Sequence, residues 1–134
     1  MYADLHLHTH YSDGTYTPEE LAERGREHGI KVMALTDHDT IDGCKQMAVA
    51  CDDRNIEFIS GCEFTVELEG FELHLLGYFL DLQCAKLIER LEKYQAVRQN
   101  RIHEMVFKLN ELGFKITSDD VLNIANCNSP GDRI

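Results

Sequence analysis

The strongest constraint on this chain is a regular alternation of apolar strand and amphipathic helix. The units recur every 25 to 30 residues or so, the spacing of a parallel sheet whose strands are joined by crossover helices. Met1 to His8 reads as a buried strand that runs into an Asp13-Gly14 turn. Thr17-Pro18-Glu19-Glu20 opens the first helix: Thr17 is the N-cap, Pro18 takes the first helical position and Glu20 completes a capping box. Leu21, Ala22, Gly25 and Ile30 mark its inner side, and Gly29 suits its C-terminal cap. Lys31 to Thr36 is a second strand, a helix with Met47, Val49 and Ala50 follows over Asp42 to Arg54, and Ile56 to Ile59 is a third strand.

In sheets of this kind, sites gather at the carboxyl ends of the strands. Those ends are where this chain places its ionisable residues. The first strand carries His6 and His8 and is followed by Asp13; the second delivers Asp37-His38-Asp39; the third delivers Gly61-Cys62-Glu63. Alternation along a strand puts His6 and His8 on one face. Phe64 to Leu68, Glu69-Gly70 and Phe71 to Leu80 form a hairpin, with His74 inside its second arm.

The sequence therefore offers six nitrogen or carboxylate donors, His6, His8, Asp13, His38, Glu63 and His74, a set that suits Zn, Mn or Fe. Asp4, Asp37 and Asp39 flank these donors and are candidates to orient imidazoles by accepting their second N–H. The plainer readings differ by residue. Three ionisable groups after an apolar strand are costly unless used, whereas a histidine on an apolar hairpin arm, such as His74, is by itself more often a core residue. His10, His28 and His103 fall outside the set. His28 closes a helix, where a cation suits the dipole, and His103 stands on a charged face.

Beyond the hairpin the character changes. Leu87, Leu91, Tyr94, Val97, Ile102, Met105, Val106, Leu109 and Leu112 recur at helical spacing up to Gly113, as one long helix or two joined near Val97. Thr117 to Asp120 starts a further helix over Val121 to Ala125, and Asn126 to Gly131 is a loop. The chain thus divides into a strand-rich part, 1–80, and a helical part, 81–134.

Charge narrows the function. The net charge of −11 argues against a general nucleic-acid-coating role, and it is uneven: residues 1–80 hold sixteen acids and five basic residues. Lys86 to Lys108 is basic instead, and there Arg98 and Arg101 are candidates to hold a substrate phosphate, set against the heavier reading of a solvated face. Five scattered cysteines without a Cys-x-x-Cys form neither a disulfide framework nor a thiolate zinc site, which points to a reducing, cytoplasmic setting. No apolar leader opens the chain, and no apolar run approaches the length of a membrane span.

Asp4-Leu5-His6-Leu7-His8-Thr9 with Ser12-Asp13-Gly14, Ala34-Leu35-Thr36-Asp37-His38-Asp39, Gly61-Cys62-Glu63-Phe64-Thr65 and His74-Leu75-Leu76-Gly77-Tyr78 together resemble the first four motifs of the PHP (polymerase and histidinol phosphatase) family. The nearest flavour is that of the stand-alone bacterial metal-dependent phosphoesterases. The resemblance implies a distorted seven-stranded β/α barrel, of which this chain is the front half, with residues 81–134 similar to the start of a helical insertion. It also implies that His6, His8, Asp13, His38, Glu63 and His74 are ligands in a cluster of two or three metal ions. A further histidine in a Gly-Arg-Pro-His-like motif and a late Asp-x-His belong to the family pattern. Ser129 to Ile134 stands where the first of these is expected, without the histidine.

Three functions follow as expectations. The first is a phosphoesterase that uses metal-activated water on nucleoside bisphosphates or short oligonucleotides. The second is a histidinol-phosphatase-type phosphomonoesterase. The third, of another class, is a catalytically incomplete metal-binding or interaction module, whose open sheet would favour self-association. Attachment to a polymerase would require a much longer chain.

Overall fold

The computed structural model describes residues 2–127 and 129–130. Met1 of the expected first strand, and Asn128 and Gly131 of the expected closing loop, lie outside those residues, as do Asp132 to Ile134.

The chain runs β1 (Tyr2–Leu7), α1 (Pro18–Glu27), β2 (Ile30–Leu35), α2 (Cys44–Asp52), β3 (Glu57–Leu68), β4 (Phe71–Tyr78), α3 (Ala85–Glu111) and α4 (Ser118–Ala125). The four strands form one sheet in sequence order. β1, β2 and β3 are parallel, and β4 pairs antiparallel with β3. This is the α/β crossover architecture that the alternation predicts.

Local chemistry sets the helix starts. Thr17 Oγ1 accepts the Glu20 N–H at 3.2 Å while the Glu20 carboxylate accepts the Thr17 N–H at 2.9 Å, closing the expected capping box ahead of Pro18. At the other end the His28 ring lies 2.8 Å from the Arg24 carbonyl, and Gly29 takes φ +71°, a left-handed turn that favours glycine. Thr117 and Asp120 repeat the box at the start of α4. The core lies between these first two helices and the sheet: Leu21 and Ala22 of α1, Cys44, Met47, Ala50 and Cys51 of α2, and Met33 and Leu35 of β2 pack with Ile56.

Two expectations are corrected. The first strand is not buried: β1 stands at the sheet edge with one neighbour, leaving Tyr2 and Leu5 exposed. The third strand does not stop at Ile59. It continues for twelve residues and changes partner midway, from parallel β2 to antiparallel β4. Gly61 permits this junction, because a Cβ there would stand 2.8 Å from the Leu35 carbonyl oxygen and 3.0 Å from that of Gly77. Of the apolar residues named for α2, Met47 and Ala50 are buried and Val49 is exposed. Of the two forms expected for the long helical run, the structure takes the first, a single 27-residue helix in which Val97 is an exposed position. No described helix is long and apolar enough to cross a membrane.

The buried positions of α3 are Leu91, Ile102 and Val106. Gln95 and Arg98 fall at intervals of four and seven from Leu91, on the same helical stripe.

Candidate metal centre

The three parallel strands end at one edge of the sheet, and the hairpin folds back beside them. This brings all six expected donors together. Three groups form, within each of which the donor atoms all lie within 4.8 Å of one another: His6, His8 and Glu63; His8, Asp13 and His38; His38, Glu63 and His74. Each pair of groups shares one residue, so the donors make a closed ring and not a scatter.

Glu63 is its hub. Its Oε2 lies 2.8 Å from His6 Nε2, 3.1 Å from His8 Nε2 and 3.7 Å from His38 Nδ1, while its Oε1 lies 2.9 Å from His74 Nδ1. The backbone fixes this hub against His38: the two residues face each other in a parallel bridge, where Asp39 N–H donates to the Glu63 carbonyl and Glu63 N–H to that of Asp37. His74 stands opposite Thr65 in the hairpin register, on the same face as Glu63. Asp13 closes the other side, 3.4 Å from His8 Nδ1 and 3.6 Å from His38 Nε2.

Charges here are tightly balanced. Burial lowers the pKa of His8, and the neighbouring His38 adds to that. Burial also works to lower His38, but the Asp13 carboxylate and then Glu63 outweigh it, leaving His38 above its ordinary value of 6.5. The hydrogen bond from His38 in turn pulls Asp13 down to about 2. Burial works to raise Glu63, yet the imidazoles of His6, His38 and His8 hold it below the usual carboxylate value.

Two observations test whether these residues fit a cation. Nδ1 of His8 and Nδ1 of His38 are buried with no hydrogen-bond partner among the described residues. Buried polar atoms rarely remain unpaired, and an imidazole lone pair aimed into a carboxylate-lined space suits a metal. The donor set itself, four imidazoles around two carboxylates, also fits a borderline divalent ion.

The three flanking aspartates take other partners than imidazoles. Asp4 Oδ1 accepts the His6 backbone N–H at 3.4 Å. Buried Asp37 accepts the Thr9 N–H at 2.7 Å, the Thr9 hydroxyl at 2.6 Å and the Ser12 hydroxyl at 2.6 Å. It thereby pins the turn that presents Asp13. Burial raises its pKa in spite of those donors. Asp39 accepts the Thr65 N–H and hydroxyl and the Arg98 guanidinium. Thr9, Ser12 and Thr65 are thus site residues that ligand chemistry does not reveal; their only sequence signal is adjacency to the donors.

The two basic candidates separate. Arg98 is not on a solvated face: its side chain is 11% exposed and engaged with Asp39 and Thr65. Arg101 is 46% exposed and pairs with Glu72 at 3.0 Å, and Glu72 also lies 3.5 Å from His74 Nε2. These residues border a cleft of about 600 Å³ between the hairpin and α3, also lined by Tyr94. The cysteines are free, and burial pushes the Cys44 thiol to about 12 and the Cys51 thiol to about 11, and raises Cys62 and Cys127 too.

Comparison with known proteins agrees with this geometry. The sequence profile of the PHP domain matches residues 4–122. A 5′-3′ exoribonuclease of Haemophilus influenzae is 35% identical over 123 residues, which is 92% of this chain and 45% of that one. A 3′,5′-nucleoside bisphosphate phosphatase of Chromobacterium violaceum is 33% identical over 82% of this chain and 39% of its own length. Among solved structures, an amidohydrolase from Chromobacterium violaceum with bound sulfate superposes with a TM-score of 0.84 at 31% identity, over 89% of this chain and 42% of that one. The chain therefore spans less than half the length of the curated relatives it matches, and its four strands and four helices correspond to the front half of a PHP barrel.

Proposed function

The chain belongs to the PHP domain family, and on that premise we propose that His6, His8, Asp13, His38, Glu63 and His74 hold divalent metal ions for the hydrolysis of phosphate esters. The observation that carries this reading is the hub: one carboxylate facing four imidazoles, with two of their buried nitrogens lacking a hydrogen-bond partner among the described residues.

The donors suggest how many ions this chain can hold. A neutral imidazole offers one lone pair, so His6, His8, His38 and His74 each serve one ion, whereas Glu63 and Asp13 can each bridge. These six side chains would hold two ions, and a third would draw on donors outside the set. Mn, Zn and Fe all suit such nitrogen and oxygen ligands.

Bound ions would supply an activated water and positive charge against the phosphate oxygens. The chain's own residues do the rest. Asp37 holds the turn that presents Asp13, the His38–Glu63 bridge fixes two donors on one backbone, and the cleft bearing Arg101 and Tyr94 gives a phosphorylated substrate room beside His74. The strand-rich part carries the donors, and α3 forms one wall of that cleft. An acidic chain gains from the metals the charge it lacks for anion binding. The substrates named for the relatives support nucleoside bisphosphates or short oligonucleotides, with a phosphomonoester such as histidinol phosphate as the rival.

Elemental analysis of the purified chain, followed by assays of nucleoside 3′,5′-bisphosphate, short RNA and histidinol phosphate with added manganese, tests this. Metal bound at one or more equivalents and turnover that chelation abolishes are expected. Absence of bound metal after reconstitution would overturn the reading. A second reading, an association module, draws support from the hairpin's outer face, where Leu68, Phe71, Leu73 and Leu75 are exposed.

A further inference from the structure

We propose that Arg98 is a positioning residue of the metal centre: reaching from α3, it grips Asp39 and Thr65 and so holds His38 and Glu63 in the arrangement the ions need. The inference rests on the proposed metal-binding reading and concerns a residue that touches none of the six donors.

Asp39 is an unusual point in the backbone. Its φ of +49° lies in the left-handed region, which costs a residue with a Cβ about 1 kcal/mol unless the surroundings enforce it. This turn separates His38 from Thr40 and aims the His38 ring into the cluster. The enforcement comes from α3 and β3 together. Arg98 Nε donates to Asp39 Oδ2 at 2.7 Å, and its Nη2 donates to Thr65 Oγ1 at 2.7 Å. Thr65 returns two bonds to the same carboxylate, from its N–H at 2.9 Å and its hydroxyl at 2.8 Å. Gln95, one turn earlier on α3, donates from Nε2 to the Asp39 carbonyl at 3.2 Å.

The geometry makes a fork that spans the site. Asp39 adjoins His38 and Thr65 lies two residues from Glu63, so one guanidinium ties together the strand ends that carry two donors. The same guanidinium donates to the Pro130 carbonyl at 3.3 Å, and the Ser129 hydroxyl donates to the His38 carbonyl. Arg98 is also mostly buried, with Asp39 wholly so, which keeps the pair out of competition with water. An arginine is suited to this task because its planar fork holds separate donors in fixed directions toward two acceptors, whereas a lysine ammonium offers its donors from a single point. The consequence is that displacement of α3 loosens the metal centre from outside.

The test compares Arg98→Met and Arg98→Lys with Arg54→Met in the full 134-residue chain. Arg54 is a matched control, an arginine that joins Glu23 and the Ala50 carbonyl away from the cluster. Cobalt(II) titration is read by its visible absorption, and histidine ring NMR is read in the metal-free chain. Arg98→Met is expected to weaken cobalt binding at least tenfold, to change the visible band and to move the His38 ring resonances. Arg98→Lys should recover part of each, and Arg54→Met should leave all three as in the wild type. If Arg98→Met matches the wild type in band, affinity and His38 resonances, the inference is overturned; equal changes in Arg54→Met would overturn it too. If the wild type binds no cobalt, the metal-binding reading falls, while the His38 resonances still decide whether Arg98 positions that ring.

Discussion

Nε2 of His6 lies 2.8 Å from Oε2 of Glu63, although fifty-seven residues separate them in the chain. That contact spans the sheet from its edge strand to the strand where pairing changes direction. Glu63→Gln keeps the shape but removes the charge and one acceptor oxygen. Metal content by elemental analysis should fall to less than half that of the wild type, and affinity by calorimetry should drop at least about 100-fold, beyond the loss of a mere supporting partner. Retention of wild-type affinity would remove Glu63 from the ligand set.

Two neighbouring histidines should titrate on opposite sides of the ordinary value. In the metal-free chain, His38 is held above 6.5 by Asp13, and His8 below it by burial. The His38–Asp13 pair therefore contributes fully to stability from the ordinary carboxylate range up to pH 6.5; that contribution fades as the pH rises through the His38 pKa, and as it falls toward the Asp13 value of about 2. His8 acts in reverse: acidification through its lowered pKa charges a buried ring and costs stability. Ring-proton NMR against pH should show the two midpoints on either side of 6.5, with Asp13→Asn lowering that of His38. Coincident midpoints would contradict the arrangement.

Asp37 holds three donors in a buried setting. Asp37→Ala leaves the Thr9 N–H and two hydroxyls without their acceptor, at a cost of about 2–4 kcal/mol in urea or thermal unfolding. Metal affinity should fall with it, since the turn bearing Asp13 is released. Asp37→Asn, which keeps one carbonyl oxygen, should lie between. An unchanged unfolding midpoint for Asp37→Ala would show that the turn is held otherwise.

Two glycine substitutions should part stability from the site. A Cβ on Gly14 would stand 2.4 Å from the His8 carbonyl oxygen and 2.8 Å from the Thr9 nitrogen. Gly14→Ala must move the turn beside Asp13 and should weaken metal binding as well as the fold. Gly29→Ala meets no atom but strains a backbone at φ +71°, costing about 1 kcal/mol with metal affinity intact. Calorimetry and melting curves on both separate the effects. Equal metal affinity in the two variants would show that the turn does not place Asp13.

The hairpin's outer face predicts self-association. Leu68, Phe71, Leu73 and Leu75 line one side of β3 and β4, opposite the side that carries Glu63 and His74. Light scattering should report species larger than a monomer, and Leu73→Lys with Leu75→Glu should return the chain toward one. A monomeric wild type at high concentration would count against the association reading.

What the sequence revealed here was the chemistry that acts locally. The Thr17 box, the Glu69-Gly70 turn and the six donors are legible because each depends on a few adjacent residues or on a residue type that is costly without a purpose. What it hid depends on residues far apart. Gly61 reads as a strand end, and only the approach of Leu35 and Gly77 on either side shows it to be a junction. Asp37 and Asp39 read as partners for imidazoles because they adjoin them, yet alternation along the chain points them at Thr9, Ser12, Thr65 and Arg98. The burial of Arg98 could not be inferred from a basic stretch, because it depends on how α3 lies against the hairpin. The exposure of β1 follows from its edge position, which no local pattern specifies.

The change of partner along β3 also orders events in time. Glu63 and His74 are eleven residues apart and joined through a two-residue turn, a closure that hairpins complete in about 1–10 μs. Glu63 and His6 must wait for two helical crossovers, whose closure entropy is larger and whose parallel pairing is slower. Half of the hub is therefore expected to assemble before the edge strand docks. Substitutions in the Glu69-Gly70 turn should slow refolding, whereas those in β1 should chiefly hasten unfolding.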